Sequence, residues 1–522
     1  MIPHPGELAR SAASAFICAI ALVIVGLPAG VAGAGASAVG TAGAEGTAST
    51  EGTAGATAWS APVTLSSCPG TGTPHVVFPS DSPTHGTGPG AIVWSASYPC
   101  HGGAGVRVAV ISPEDVPGLA GRPRGSNGQA LALRGPLSAS AGPYGRIVIA
   151  AASAGGAATP AGELLLTEGQ AGGPFTRPIA PGGPASSFAF STGYLGDVAL
   201  LSMGGTQLDE VSPLRGESGS LGSVQVGADA PLGEDAGSTG GVQLGMQRHY
   251  ASRFAAPLRV NTGPGAGASI DALTVALDYR SDALAVWAQQ GSVYASDLPA
   301  SGTQHPVQRL GPCPLTGARI AAVISDDDRA IVAWTDRRAG ESSVYVSRSQ
   351  TGVRFGAPEL IERFHDPNDL TAYAVSPRIV RLSSESVMMA WNGIEAGHLV
   401  IRTAAIDLHG VRAPSTISPP DSDALLDALA PGPENEVLAL WSEPQQTPTG
   451  LDLHREAIFA ARGFNDYPGQ TAFSAPEQVA APGPTREASV ALDPGSDRAI
   501  AVWRSGAGAV AYAVRSAGPP PP

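Results

Sequence analysis

Five arginines recur at one place in a repeated pattern: Arg248, Arg348, Arg402, Arg462 and Arg515 each stand just after the later apolar strand of a repeat. A guanidinium presents forked N–H donors that match a carboxylate or sulfate. Gathered around a common mouth, such residues would bind an anionic group. The same placement also lets each Arg close onto an acidic turn, and this structural role is the preferred one. The five remain the candidate binding residues.

Acidic turns recur too, at Asp278 and Asp282, Asp326 to Asp328, Glu434 and Glu436, and Asp493 and Asp497. None has the alternating ligands of an EF-hand loop. Turn formation accounts for them, because Asp tolerates turn geometry and accepts hydrogen bonds from nearby backbone N–H groups. The histidines, among them His75, His305 and His398, lack the His-Glu-x-x-His spacing of a zinc hydrolase. No Gly-x-Ser-x-Gly elbow or dinucleotide fingerprint is present. The 30 basic residues are all Arg, which excludes Lys Schiff-base chemistry and a P-loop. No catalytic residue, metal or cofactor is assigned.

The elements that must position these residues are strands. With Gly 68 and Pro 47 in 522 residues, tight turns are favoured over long helices. The clearest repeat runs from Arg319 to Ile361. It has a turn at Asp326–Asp328, a strand ending in Trp334, a strand Ser343 to Ser347, and a last element Phe355-Gly356-Ala357-Pro358-Glu359-Leu360. Other apolar runs end at Trp94, Trp287, Trp391, Trp441 and Trp503, and weaker copies lie at Gly145 to Ala150 and Gly196 to Leu201. From Trp287 onward the Trp recurs every 47 to 62 residues, the length of a four-stranded propeller blade. Fixed register makes this Trp a packing residue between blades rather than a sugar platform.

The expected fold is therefore all-β, a β-propeller of seven or eight four-stranded blades, eight by repeat count, spanning 59–517. A long loop insertion interrupts the third copy near 204–240. The segment Trp59-Ser60-Ala61-Pro62-Val63-Thr64-Leu65 matches the last element of a repeat, as in Phe473-Ser474-Ala475-Pro476. The final copy lacks that element, so an N-terminal strand is expected to close the ring and remove an exposed edge.

Ahead of the repeats, Arg10, the apolar stretch Ala15 to Val25, and small residues ending at Ala34 or Ala38 read as a secretory signal peptide over 1–38. The apolar run is short for a membrane span, and no later segment is long and apolar enough to be one. An Ala/Gly/Thr-rich linker over 39–58 and a Pro-rich tail over 518–522 flank the repeats. Export leaves Cys68, Cys100 and Cys313 in oxidising surroundings, and Cys68 with Cys100 is a possible disulfide. A net charge of -14 disfavours nucleic acid and anionic lipid as partners.

The run Arg348-Ser349-Gln350-Thr351-Gly352-Val353-Arg354-Phe355 resembles a degenerate Asp-box turn of the sialidase-like β-propeller superfamily, mainly through Gly352 and Phe355. Gln350 stands where that box has Asp, and Arg354 where it has Thr. The resemblance implies a propeller. It carries no catalytic residue across, because His75-Val76-Val77-Phe78-Pro79 stands where the family has Arg-Ile-Pro. The expected function is that of a secreted or cell-envelope-associated, non-enzymatic binding or scaffold protein, a monomer whose ligand is an extracellular glycan, peptide or protein. The alternative is a sialidase-like glycoside hydrolase.

Overall fold

The computed structural model describes most of residues 59–516. Outside it lie 1–58, 517–522, 80–88, 154–161, 179–184, 193–197, 205–224, 227–241, 247–257, 261–269, 367–376 and shorter loop segments. The expected signal peptide, linker, Pro-rich tail, most of the insertion and Arg248 fall outside the described residues.

Eight antiparallel sheets follow one another along the described chain. The first holds Gly70–Val77, Ala91–Ala96 and Gly105–Val110; the second holds Leu133–Ala141, Arg146–Ser153 and Leu164–Gln170. The third is built on Ala185–Thr192, Val198–Gly204, Val242–Met246 and Leu258–Arg259. The fourth comprises Ile270–Leu277, Ala283–Gln289, Ser292–Leu298 and Gln308–Pro312. Arg319–Ile324, Ala330–Arg338, Gly340–Ser349 and Glu359–Asp366 make the fifth. The sixth is centred on Arg378–Arg381, Val387–Glu395 and His398–Asp407, and the seventh on Leu425–Pro431, Glu436–Thr447 and Gly450–Asp466. The eighth joins Thr485–Leu492, Ala499–Ser505 and Val510–Arg515 to the N-terminal strand Val63–Ser66.

All eight apolar runs of the sequence are second strands. Their uninterrupted apolar character follows from burial on both faces. In Ala283–Gln289 every residue is buried. Because side chains alternate across a strand, Leu284, Val286 and Ala288 enter the core shared with the fifth sheet. Ala283, Ala285 and Trp287 enter the core shared with the third.

The same division operates throughout, and each core cluster is shared by two successive sheets. A further cluster joins Ile92, Trp94 and Ala109 of the first sheet to Ile500, Val502 and Tyr512 of the eighth. Each repeat Trp sits on the face toward the preceding sheet and is at most 2% exposed. Trp287 and Trp334 stack on their cross-strand neighbours Tyr294 and Tyr345 at 5.8 and 5.6 Å between ring centroids. The repeat Trp is thus packing, as its register indicates.

The N-terminal strand supplies the outer strand that the last repeat lacks. Val63 pairs with Tyr512 and Thr64 with Ala511, and Trp59 bridges to Arg515. Trp59 packs on the core between the seventh and eighth sheets. Phe355 and Phe473 take the same place in the fifth and seventh sheets. Cys68 and Cys100 are disulfide-bonded, with Cα atoms 5.0 Å apart. Cys313 is a free, buried thiol that burial pushes up to about 12.

Four-stranded regularity is incomplete. Among the described residues the first two sheets have three strands each; the outer position holds single bridges, such as Gly169 to Phe175. The last strand of the fifth sheet begins at Glu359 rather than Phe355. Phe355 bridges to Ser349, and Pro358, without an N–H, interrupts the ladder. In the third sheet, Gln225–Val226 from the insertion pairs with the first strand, against Phe190 and Ser191.

Candidate functional site

The site begins with the first strands of the sheets. Each lies beside the first strand of the next sheet, and that of the eighth lies beside that of the first. Polar bonds stitch these neighbours together. Ser489 donates to Pro74 O at 2.7 Å, Ser140 and Thr192 hydroxyls are 2.7 Å apart, and Arg378 donates to Asp427 O at 3.3 and 3.1 Å.

Six of these strands lose register near their start. A bulge leaves extra residues outside the ladder and re-aims their side chains. In three sheets a bulged residue is an acid followed by Ala: Asp271 between Ile270 and Ala272, Asp427 between Leu426 and Ala428, and Glu487 between Arg486 and Ser489. The fifth and sixth sheets show no such shift and start their first strands with Arg319 and Arg378. One end of the first-strand array therefore gathers acids and arginines on otherwise apolar elements.

Asp427 is the most perturbed of these groups. Burial pushes its carboxyl up to about 7, against hydrogen bonds from Ser442 and the Ala488 N–H and the positive charge of Arg378, while the Glu487 charge adds to the rise. Its Oδ2 is inaccessible to solvent and has no hydrogen-bond partner among the described residues. Glu487, with φ +53, is exposed and pairs with Arg504 at 2.8 Å. Arg504 also donates to Gly70 O of the first sheet at 3.2 Å. Burial raises Asp271 to about 6.

His75 completes this end of the array. Its Nε2 donates to Leu137 O of the second sheet at 3.1 Å. Burial, opposed by the hydrogen bond to Leu137 O and assisted by the charge of Arg378 in the sixth sheet, lowers its pKa to about 4. That reach from the sixth sheet to the first brings the arginine and histidine into one electrostatic neighbourhood. At neutral pH the imidazole is uncharged, Asp427 is poised between its two forms, and Arg378 is cationic. A perturbed acid beside a fixed cation marks a candidate functional site. Such a group can hydrogen-bond polar hydroxyls in both senses, because a carboxyl donates when protonated and accepts when ionised.

The arginines singled out from sequence lie elsewhere, on third strands or at the end of the last. Arg348 meets Glu359 at 3.2 Å. Arg402 lies between Glu362 at 3.0 Å and Glu395 at 3.3 Å. Arg462 forms a buried fork with Glu436 and lies 5.1 Å from the Phe464 ring centroid. Arg515 makes two bonds, 2.9 and 2.8 Å, to Glu477. Each is thus bonded to carboxylate within its own or the preceding sheet. The acidic turn at Asp278 is an Asx turn, its Oδ1 accepting the N–H groups of Arg280 and Asp282 at 2.8 and 2.7 Å. Among the described residues no three His, Cys, Asp or Glu side chains come together as a metal site, and no helix is long and apolar enough to cross a membrane.

Sequence reasoning passed over Asp271, Asp427, Glu487, Arg319 and Arg378. The available sign was a lone acid followed by Ala, one or two residues inside an otherwise apolar first strand.

No protein-family model matches this sequence, and no curated protein matches it. Among solved structures, the chain is similar to the polysaccharide lyase Uly1 at 10% identity, over 75% of this chain and 92% of that one, with a TM-score of 0.38. An α-L-arabinanase of Penicillium chrysogenum complexed with arabinobiose matches at 13% identity, over 68% and 99%, with a TM-score of 0.35. A mutant Aleuria aurantia lectin in complex with Fucα1-6GlcNAc matches at 9%, over 66% and 96%, with a TM-score of 0.30. At these scores the likeness assigns no activity.

Proposed function

We propose that this chain is a secreted binding protein built as a closed eight-bladed propeller, which takes a polar extracellular ligand, a glycan in the first instance, at the mouth formed by its first strands. Ring closure is supported by the eight core clusters, each shared by two neighbouring sheets and one of them joining first to eighth. Pairing of Val63–Ser66 with the C-terminal strand supports it as well. Export is supported by the apolar leader and, within the repeats, by the Cys68–Cys100 disulfide.

The observation that carries the binding site is the placement of carboxylates in bulges at the start of three first strands, with Arg378 beside Asp427. Bulges at that point do nothing for the ladder, which they interrupt. They take the acids out of the register that the rest of each strand keeps with its neighbour. Sugars offer the hydroxyl donors and acceptors that such a mixed array satisfies.

One observation favours a glycoside hydrolase as the second reading. Asp427 holds its proton up to about 7 in electrostatic contact with Glu487, and two acids with different environments are what acid/base cleavage of a glycosidic bond requires. The two readings separate in one experiment. Wild-type and Asp427→Asn proteins are tested for retention of a panel of neutral and acidic oligosaccharides and for turnover of fluorogenic glycosides, sialosides included. Binding by wild type without sustained release of product supports the binding protein. Sustained turnover that Asp427→Asn abolishes establishes the hydrolase, and a panel with neither retention nor turnover overturns both.

A further inference from the structure

A second polar recess lies away from the mouth, on the fifth sheet. It is a cleft of about 450 Å³ lined by Val346, Arg348, Gln350, Arg354, Phe355 and Glu359 together with Gly356 and Ala357. We infer that this cleft is an independent site for a carboxylate or sulfate group carried on a sugar, held between Arg348 and Arg354.

The argument comes from comparing repeats. Arg462 and Arg515 are buried, and each meets a glutamate through more than one bond. Arg402 is held between two glutamates. In the fifth sheet the pairing is looser. Arg348 makes a single 3.2 Å contact with Glu359, and both side chains are substantially exposed at 32% and 43%. Arg354 is exposed and has no carboxylate partner among the described residues. Arg348 and Arg354 thus place two positive charges beside the one carboxylate of Glu359, in a chain with 44 acidic and 30 basic residues. The cleft therefore carries a net positive charge on an acidic protein.

The turn that presents these groups is fixed in advance. Gly352 takes φ +69, a conformation that disfavours side chains. Thr351 N–H donates to Ser349 Oγ at 3.3 Å, and Gly356 N–H to Arg348 O at 2.9 Å. The amide of Gln308, on the fourth sheet, grips the turn from the other side. Its Oε1 accepts from Phe355 N–H at 2.8 Å and its Nε2 donates to Val353 O at 3.3 Å. Little ordering is then left for binding to supply. The two guanidinia suit a forked oxyanion, while the Gln350 amide and the Glu359 carboxylate can meet flanking hydroxyls, which favours an acidic sugar over an isolated anion.

The experiment uses the full secreted chain and calorimetric titration at low and at high salt. The probes are a hexasaccharide of alternating glucuronic acid and N-acetylglucosamine, a sulfated galactose oligosaccharide, and neutral cellohexaose. At least one acidic probe is expected to bind, its affinity falling with salt, while cellohexaose shows no such salt-dependent binding. The carboxylate and sulfate arms identify which group the cleft prefers. Arg354→Gln is expected to weaken that binding about tenfold or more, the loss of a charge-assisted contact, without shifting the thermal midpoint. Arg354→Gln is expected to leave any binding of cellohexaose as it is in wild type, which separates this cleft from the mouth. Failure of both acidic probes, or an Arg354→Gln protein that binds them like wild type, overturns the inference.

Discussion

At the scale of the residue, the mouth is defined by groups whose ionisation the fold opposes. Asp427 is held up to about 7 from an ordinary 3.8 by burial. A raised acid favours the folded state while protonated in both states, and that advantage is lost as pH rises from about 4 through 7. Asp427→Asn should remove this loss. Its stability relative to wild type, measured as the denaturant midpoint, is expected to improve steadily between pH 4 and 7.5. His75 acts in the opposite sense, because burial lowers it from 6.5 to about 4. Its neutral form is the one the fold accepts, so its contribution is complete above 6.5 and is lost as pH falls toward 4. His75→Gln is expected to flatten acid destabilisation in that window, by about 3 kcal/mol. An unchanged acid limb in the His75→Gln protein would show that the imidazole is solvated.

These residues were not legible in the sequence for a physical reason. Asp271, Asp427 and Glu487 stand one or two residues inside apolar strands, where a lone acid resembles the turn acids found a few residues later. Whether it faces a core or leaves the ladder depends on register with the second strand, and register is a property of the pair. The recurrent arginines were visible because they repeat. Their closure by Glu359, Glu362, Glu436 and Glu477 depends on the register of neighbouring strands and on how successive sheets pack.

At the scale of the element, the sequence was far more informative. A second strand buried on both faces must read as an unbroken apolar run, and all eight such runs were found. The Trp that ends six of them fills the space toward the preceding sheet. Trp334, stacked on Tyr345 and donating from Nε1 to Pro312 O at 2.9 Å, exemplifies the role. Trp334→Ala should cost about 3–5 kcal/mol, read from chemical unfolding, through lost burial and the cavity left behind. The ion pairs divide by depth. Glu436→Gln removes the forked partner of Arg462, whose side chain is 4% exposed, and is expected to cost about 3–5 kcal/mol. Glu359→Gln, at an exposed pair, should cost about 1 kcal/mol or less. Equal costs for the two would contradict the repeat comparison on which the fifth-sheet cleft rests.

At the scale of the whole molecule, the two ends of the repeat region meet. Val63–Ser66 completes the eighth sheet, and the adjoining disulfide at Cys68 ties this strand to the segment after the second strand of the first sheet. Cys100→Ser is expected to lower stability by about 2–4 kcal/mol, seen as a lower unfolding midpoint under oxidising conditions only. Deleting 59–66 leaves the edge of Val510–Arg515 unpaired and uncovers the core that Trp59 packs on. Aggregation or non-cooperative unfolding is the expected outcome.

The claim that the mouth of the first strands is the binding site is tested most directly by hydrogen–deuterium exchange with and without an oligosaccharide that the wild-type chain retains. Slower exchange is expected at the starts of Gly70–Val77, Ile270–Leu277, Arg378–Arg381, Leu425–Pro431 and Thr485–Leu492. Protection confined to outer strands such as Glu359–Asp366, with those starts unchanged, would contradict it.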